Sequence, residues 1–192
     1  MTCKKAVTKM TEKSITINDK QGFQGWAPFA QIFGIVFAML LHPGTFYERL
    51  PQRNGYTSPI IFLFFCSTLH TICATMCTNR EKAVFGALYF VNAFFMPFIT
   101  AFLAYLATLI LCRHIFSYQT VLGITAYANV TLLLAWIPGV SCVTGIWTYG
   151  LIGLGMAKVG PITASMAFRI ILITAGCLFL LIQFVLFAGR LG

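Results

Sequence analysis

Charged side chains are scarce in this sequence, and carboxylates are scarcer still. Only 9% of the 192 residues are Asp, Glu, Lys or Arg, against about a quarter in a soluble domain. The four acids, Glu12, Asp19, Glu48 and Glu81, all precede residue 82, so residues 82–192 contain no carboxylate side chain. Proton relays and carboxylate-dependent catalysis need an acid at depth, and this chain has none to offer there. It also lacks the His-Glu-x-x-His zinc motif, the Gly-x-Ser-x-Gly elbow and the phosphate-cradling Walker loop. The expectation is a non-enzymatic protein without a cofactor. Met1 to Gln24 lacks the apolar stretch of a signal peptide, so targeting falls to the first spanning helix.

What is abundant is apolar. Hydrophobic residues make up 59% of the chain and the mean hydropathy is +0.86. So little polar surface cannot cover a globule in water, and the solvent this composition requires is lipid. The formal charge of +9 could point to nucleic acid, but the cations sit at the ends of apolar runs or in the N-terminal tail. Anionic headgroups account for them without a nucleic-acid partner. Cys66, Cys73, Cys77, Cys112, Cys142 and Cys177 fall within or beside apolar stretches, which reads as small hydrophobes rather than a disulfide framework.

The order of apolar runs predicts an all-α, polytopic membrane helix bundle: five transmembrane helices preceded by an interfacial helix. Residues 1–25 form a basic cytoplasmic tail, 26–56 interfacial and juxtamembrane helices, and 57–188 the five-helix membrane domain. Trp26–Leu41 would reach ~24 Å as a helix, short of the ~30 Å hydrocarbon core, so an interfacial helix is favoured over a sixth span. Thr45 to Glu48 has capping-box spacing and predicts a short helix from Thr45, ended by Pro51. The first span is expected from Ser58 as N-cap, with Pro59 at the first helical position, to Thr78. The second covers Ala83–Cys112 and is kinked at Pro97, with Asn92 and Thr100 near the freed backbone. The third runs from Ser117 to Trp136, the fourth from Val140 to Ala157, and the fifth from Ile162 to Phe187. A cytoplasmic N-terminus then places Lys4, Lys5, Lys9, Lys13, Lys20, Arg49, Arg53, Arg113, Lys158 and Arg169 inside. Arg80, Lys82 and Arg190 fall outside, which is the asymmetry the positive-inside rule requires.

Ala126-Tyr127-Ala128-Asn129, then Trp136-Ile137-Pro138-Gly139, Gly145-Ile146-Trp147 and the glycines Gly150, Gly153 and Gly155 follow one another in an order that resembles the Yip-domain family. Upstream, Leu41 to Tyr47 resembles the proline-ended interfacial helix of that family. The resemblance covers about residues 27–188. It implies a five-helix bundle with a cytoplasmic N-terminus, and a role in membrane organisation of the kind its Ypt/Rab-GTPase-interacting eukaryotic members have. The Asp-Leu-Tyr-Gly-Pro motif of those members is absent, with Tyr56-Thr57-Ser58-Pro59 in its place. That departure weighs against GTPase binding and makes the chain resemble prokaryotic members, implying a bacterial inner (cytoplasmic) membrane.

Several constellations could carry function. Ser141, Gly145, Gly150, Gly153 and Gly155 present small surfaces on the fourth span, where close backbone approach drives association in lipid. The first reading is packing within the chain, the second self-association or another membrane protein, with Thr100, Ala104 and Thr108 as the facing surface. The preferred reading is a protein acting by lateral association with lipid and protein partners; as the alternative, Asn92, Thr100 and Asn129 could line the polar path of a small transporter or channel, with Pro97 as hinge. A cavity reaching Asn92 or Asn129 would favour transport, and a dry bundle with an exposed small-residue groove would favour lateral association. Arg49, Arg53 and Arg169 could meet lipid headgroups, Arg169 by snorkelling. Cys66, His70, Cys73 and Cys77 share one helix face, a donor set suited to Zn or Cu(I). One straight helix cannot wrap a tetrahedral site, so the preferred reading is a packing stripe with His70 bonded to a carbonyl or water, and no metal.

Overall fold

A computed structural model describes residues 27–48, 50, 55–77, 82–112, 115–137 and 139–191. Among them the secondary structure is helical, with no strand: α1 (Ala27–Leu41), α2 (Pro43–Glu48), α3 (Thr57–Met76), α4 (Lys82–Cys112), α5 (Tyr118–Ala128), a 3-10 turn (Asn129–Thr131), α6 (Leu132–Ala135), α7 (Ser141–Val159) and α8 (Ala164–Leu191). Backbone groups cannot be left unpaired in hydrocarbon, and a helix satisfies them within one segment. Four helices are long and apolar enough to cross a membrane: Thr57–Met76, Val84–Cys112, Ser141–Val159 and Ala164–Phe184. The chain divides into two units, Met1–Gly34 and Ile35–Gly192. Of the first, only Ala27–Gly34, the opening of α1, is described. α1 has fifteen residues, about 22 Å of rise, which is less than the hydrocarbon core needs.

Within Ile35–Gly192 the centre is α5. Every residue from Val121 to Ala128 is buried, on all faces of the helix. Gly123, Thr125, Ala126 and Ala128 keep it thin enough for α3, α4 and α7 all to pack on it. α4 brings a buried set of small side chains, Thr100, Ala101, Ala104, Ala107 and Thr108, and packs on α5 and α8. Of the Thr100, Ala104 and Thr108 surface expected to face the fourth span, Thr100 shares a cavity with α7, but the two helices do not pack directly. α4 and α7 barely meet, because α5 and α8 stand between them.

The segment from Phe116 to Ala135 runs antiparallel to α7, and three contacts spaced along it fix the alignment. Phe116 lies against Gly160, Ile124 against Gly155, and the Thr131 and Thr148 hydroxyls bond to each other. Ser117 caps α5, its Oγ accepting from the Thr120 N–H at 3.2 Å. The segment then breaks from α-helix at Asn129–Thr131 before resuming as α6. An irregular turn at such a place is tolerated because its Val130 and Thr131 are buried in protein. Gly139, at φ 87°, supplies the left-handed residue of the turn into α7.

Two starts differ from expectation. α2 begins at Pro43 rather than Thr45: proline is already set for the first helical position, and the Thr45 hydroxyl donates back to the His42 carbonyl at 3.0 Å. Glu48 does not close a capping box; it pairs with Lys158 at 2.7 Å. That pair is half-exposed and contributes under about 1 kcal/mol, but it places the end of α2 beside the end of α7. α3 begins at Thr57, so Ser58 is not its cap. The Ser58 Oγ instead pairs with the Tyr127 hydroxyl at 3.1 Å. Pro51, expected to end the short helix, lies outside the described residues.

α2 is held by a side chain. Tyr47 is 1% exposed, its hydroxyl donating to the Ile124 carbonyl at 3.3 Å. Its ring occupies the hollow left by Gly155, where a Cβ would stand 2.9 Å from the ring and 2.6 Å from Ile124 Cγ2. Burial pushes the Tyr47 hydroxyl above its usual range, so it stays neutral and acts as a donor.

Candidate functional site: a cavity between α4 and α7

The gap between α4 and α7 is not filled. A cavity of about 210 Å³ lies there, with α4 supplying Asn92, Ala93, Met96, Pro97 and Thr100. Gly145, Thr148, Tyr149 and Ile152 form the α7 wall, and Leu178 of α8 and Asn129 and Leu132 of the broken segment complete it. The α7 residues recur at intervals of three, four and seven from Gly145, which is one face of a helix. Asn92, Thr100 and Asn129, singled out in the sequence as a polar path, are thus brought to one cavity. Pro97 is the middle residue of the 31-residue α4, and Asn129 stands where the eleven-residue α5 ends. The site is therefore at the depth of the middle of α4 and of the broken segment from Tyr118 to Ala135.

The polar groups divide into committed and free. The Thr100 hydroxyl donates to the Met96 carbonyl at 3.0 Å, and the Thr148 hydroxyl to the Thr144 carbonyl at 2.7 Å. The Asn129 Nδ2 donates to the Thr125 carbonyl at 2.7 Å, capping α5 from within. Asn92 is exposed, and its amide makes no hydrogen bond among the described residues. Pro97 carries no N–H, so the Ala93 carbonyl loses its helical donor. Thr100 was expected to satisfy that freed backbone; its hydroxyl goes to Met96 instead, the carbonyl one helical turn behind it.

The small residues of α7 are divided. Gly155 is filled by Tyr47, and a Cβ on Gly153 would meet Ile171 of α8 at 3.4 Å. Both are used inside the bundle. Gly145 and Gly150 are exposed with nothing within 4 Å of a Cβ, and Ser141 is exposed. Gly145 opens the cavity. Gly160 has the tightest packing of all, against the buried Phe116 ring.

The cysteine–histidine stripe does not converge. Its residues climb α3 from buried Cys66 to exposed Cys77, and the His70 Nδ1 meets the Leu132 carbonyl at 3.0 Å. Among the described residues no group of three or more His, Cys, Asp or Glu is placed to hold a metal ion. Arg169 is exposed in the second turn of α8, while Arg49 and Arg53 lie outside the described residues. Sequence reasoning missed Tyr149, Thr148 and the role of Tyr47. The helical interval from Gly145 carries the first two, but a threonine and a tyrosine on an apolar helix carry no charge to draw notice.

Among the described residues the fold is all-helical, with four helices long and apolar enough to cross a membrane, which points to an integral membrane protein. No family model, no curated protein and no solved structure matches the chain.

Proposed function

We propose that this chain is a five-span, non-enzymatic membrane protein that takes up a small molecule at the cavity between α4 and α7, in the manner of a transporter or channel. The convergence of Asn92, Thr100 and Asn129 on one cavity at mid-helix depth carries the reading. Amides at such depth in lipid are costly unless they serve a path or a site. A discontinuous helix at that depth is also the usual way a substrate site is built between spans.

The count of five is supported by parity. Glu48 and Lys158 pair, so both stand on one side of the membrane and the chain between them crosses an even number of times. α3, α4 and α7 supply three crossings, and Tyr118 to Ala135, eighteen residues or about 27 Å of rise, supplies the fourth. α8 is then the fifth span. The N-terminus lies in the cytoplasm and the C-terminus outside, with α1 in the inner interface. The resemblance to the Yip-domain family, of prokaryotic type and at a bacterial inner membrane, belongs to the same proposal.

A second reading, lateral association with lipid, protein or a second copy, is favoured by the open Gly145 and Gly150. Alkylation separates the two. In a background without native cysteines, Asn92→Cys is compared with Leu88→Cys, one turn away and 65% exposed on the same helix. A thiol reacts as the thiolate, which forms where water reaches. Asn92→Cys is expected to react about tenfold faster or more, and to be protected by Gly145→Leu. Equal rates would mean that Asn92 faces lipid, and would favour association.

A further inference from the structure

We infer that the cavity binds a small uncharged molecule that both donates and accepts hydrogen bonds, a carboxamide or a close chemical relative. This rests on the cavity being the working site and names what enters it.

Charge is excluded first. None of the twelve lining residues is ionised, and no carboxylate side chain follows Glu81 in the sequence. Arg169 stands nine residues before Leu178 on α8, about 13 Å along the helix. An ion at this depth would have no counter-charge, and burying it unpaired costs several kcal/mol. A neutral solute avoids that cost.

Hydrogen-bonding capacity comes next. The Thr100 hydroxyl proton is spent on a backbone carbonyl, so its oxygen offers only acceptance, while Thr148 is engaged by both the Thr144 carbonyl and the Thr131 hydroxyl. The Asn129 Nδ2 gives one N–H to Thr125, which leaves its second N–H to donate and its Oδ1 to accept. The Ala93 carbonyl is a further acceptor freed by Pro97. The donors are the amide of Asn92 and the hydroxyl of Tyr149, neither bonded to a described residue, and the second N–H of Asn129. A ligand that satisfies this set has at least two N–H or O–H donors and one acceptor, which a primary carboxamide supplies in one planar group.

Size sets the remainder. About 210 Å³ is below the ~300–1,000 Å³ of sites for drug-sized ligands. Met96, Leu132, Ile152 and Leu178 give the cavity an apolar side that suits a short alkyl substituent. Because Asn92 and Gly145 are exposed, the carboxamide could belong to a water-soluble solute or to an amphiphile dissolved in the bilayer.

The test uses the full chain in two forms. Reconstituted in phosphatidylcholine liposomes, it is assayed for uptake of acetamide, acetate and methylammonium. In detergent, its thermal midpoint is read with acetamide and with oleamide. Gly145→Leu fills the cavity without removing a hydrogen bond, since its Cβ meets no atom within 4 Å, and an unchanged midpoint without ligand verifies its fold. Asn92→Leu removes a donor from an exposed position. Acetamide uptake above empty liposomes, abolished by Gly145→Leu and lowered about five- to tenfold by Asn92→Leu, supports the proposal with an aqueous ligand. A rise in midpoint with oleamide alone, lost in Gly145→Leu, supports it with a bilayer-dissolved one. Uptake of acetate or methylammonium with acetamide at background overturns the proposal and leaves the cavity as a working site. No uptake and no shift with any probe overturns both.

Discussion

Gly155→Ala is expected to lower the stability of the bundle by about 1–3 kcal/mol, read as a fall in the thermal midpoint in detergent. The added methyl would meet Ile124 Cγ2 at 2.6 Å and the Tyr47 ring at 2.9 Å, both on fully buried side chains. Neither neighbour can step aside easily. Ile124 Cγ2 is fixed to a β-carbon on the central helix, and the ring is tethered by its bond to the Ile124 carbonyl. Tyr47→Ala vacates the same hollow and costs on the order of 3 kcal/mol through lost packing. In lipid that cost comes from lost contacts, since the hydrophobic effect does not distinguish protein interior from lipid tails. The two substitutions share one space, so the double variant is expected to be less damaged than the sum of the singles. Additive losses would mean that the ring does not sit in the Gly155 hollow, and α2 would then lack its anchor.

Gly160→Ala is the second. A methyl there would overlap the Phe116 ring, which is 5% exposed and closes the approach between the start of α5 and the end of α7. The Gly160 backbone is extended, at φ −111°, so its glycine is required by space and not by conformation. We expect a loss of about 1–3 kcal/mol in the wild-type background and close to none once Phe116→Ala has removed the ring. The consequence reaches the cavity. Phe116 against Gly160 sets the register that brings Thr131 to Thr148 and Asn129 to the cavity wall. A shift of one helical turn would carry Asn129 about 5 Å from its place. Gly160→Ala should therefore also change the alkylation rate of Asn92→Cys, a readout that loss of packing far from the cavity would not move.

Much of this architecture is legible in the residue order, because apolar length and terminal charge act locally along the chain. The bounds of α4 needed no knowledge of neighbours. Where neighbours decide, the sequence is silent. Ser58 has the chemistry of a cap but finds the Tyr127 hydroxyl across the bundle, and Glu48 has the spacing of a capping box but finds Lys158. The glycines of α7 are alike in sequence, yet Gly155 receives a tyrosine from a helix more than a hundred residues earlier while Gly145 faces open space. The polar trio was visible as amides and a threonine in apolar runs. Its convergence was not, since it depends on α5 and α8 holding α4 and α7 apart. The 3-10 break at Asn129 had no proline or glycine to announce it.

The parity of Glu48 and Lys158 and the mid-depth position of Asn129 both depend on the broken segment from Tyr118 to Ala135 crossing the bilayer. Native Cys142 and an introduced Ile115→Cys flank that segment, and both positions are exposed. Each is placed singly in a background without other cysteines and labelled in intact cells with a membrane-impermeant maleimide. Cys142 is expected to react from outside, and Ile115→Cys only after the membrane is opened. Labelling of both from the same side would contradict the crossing, and with it the five-span bundle and its cavity.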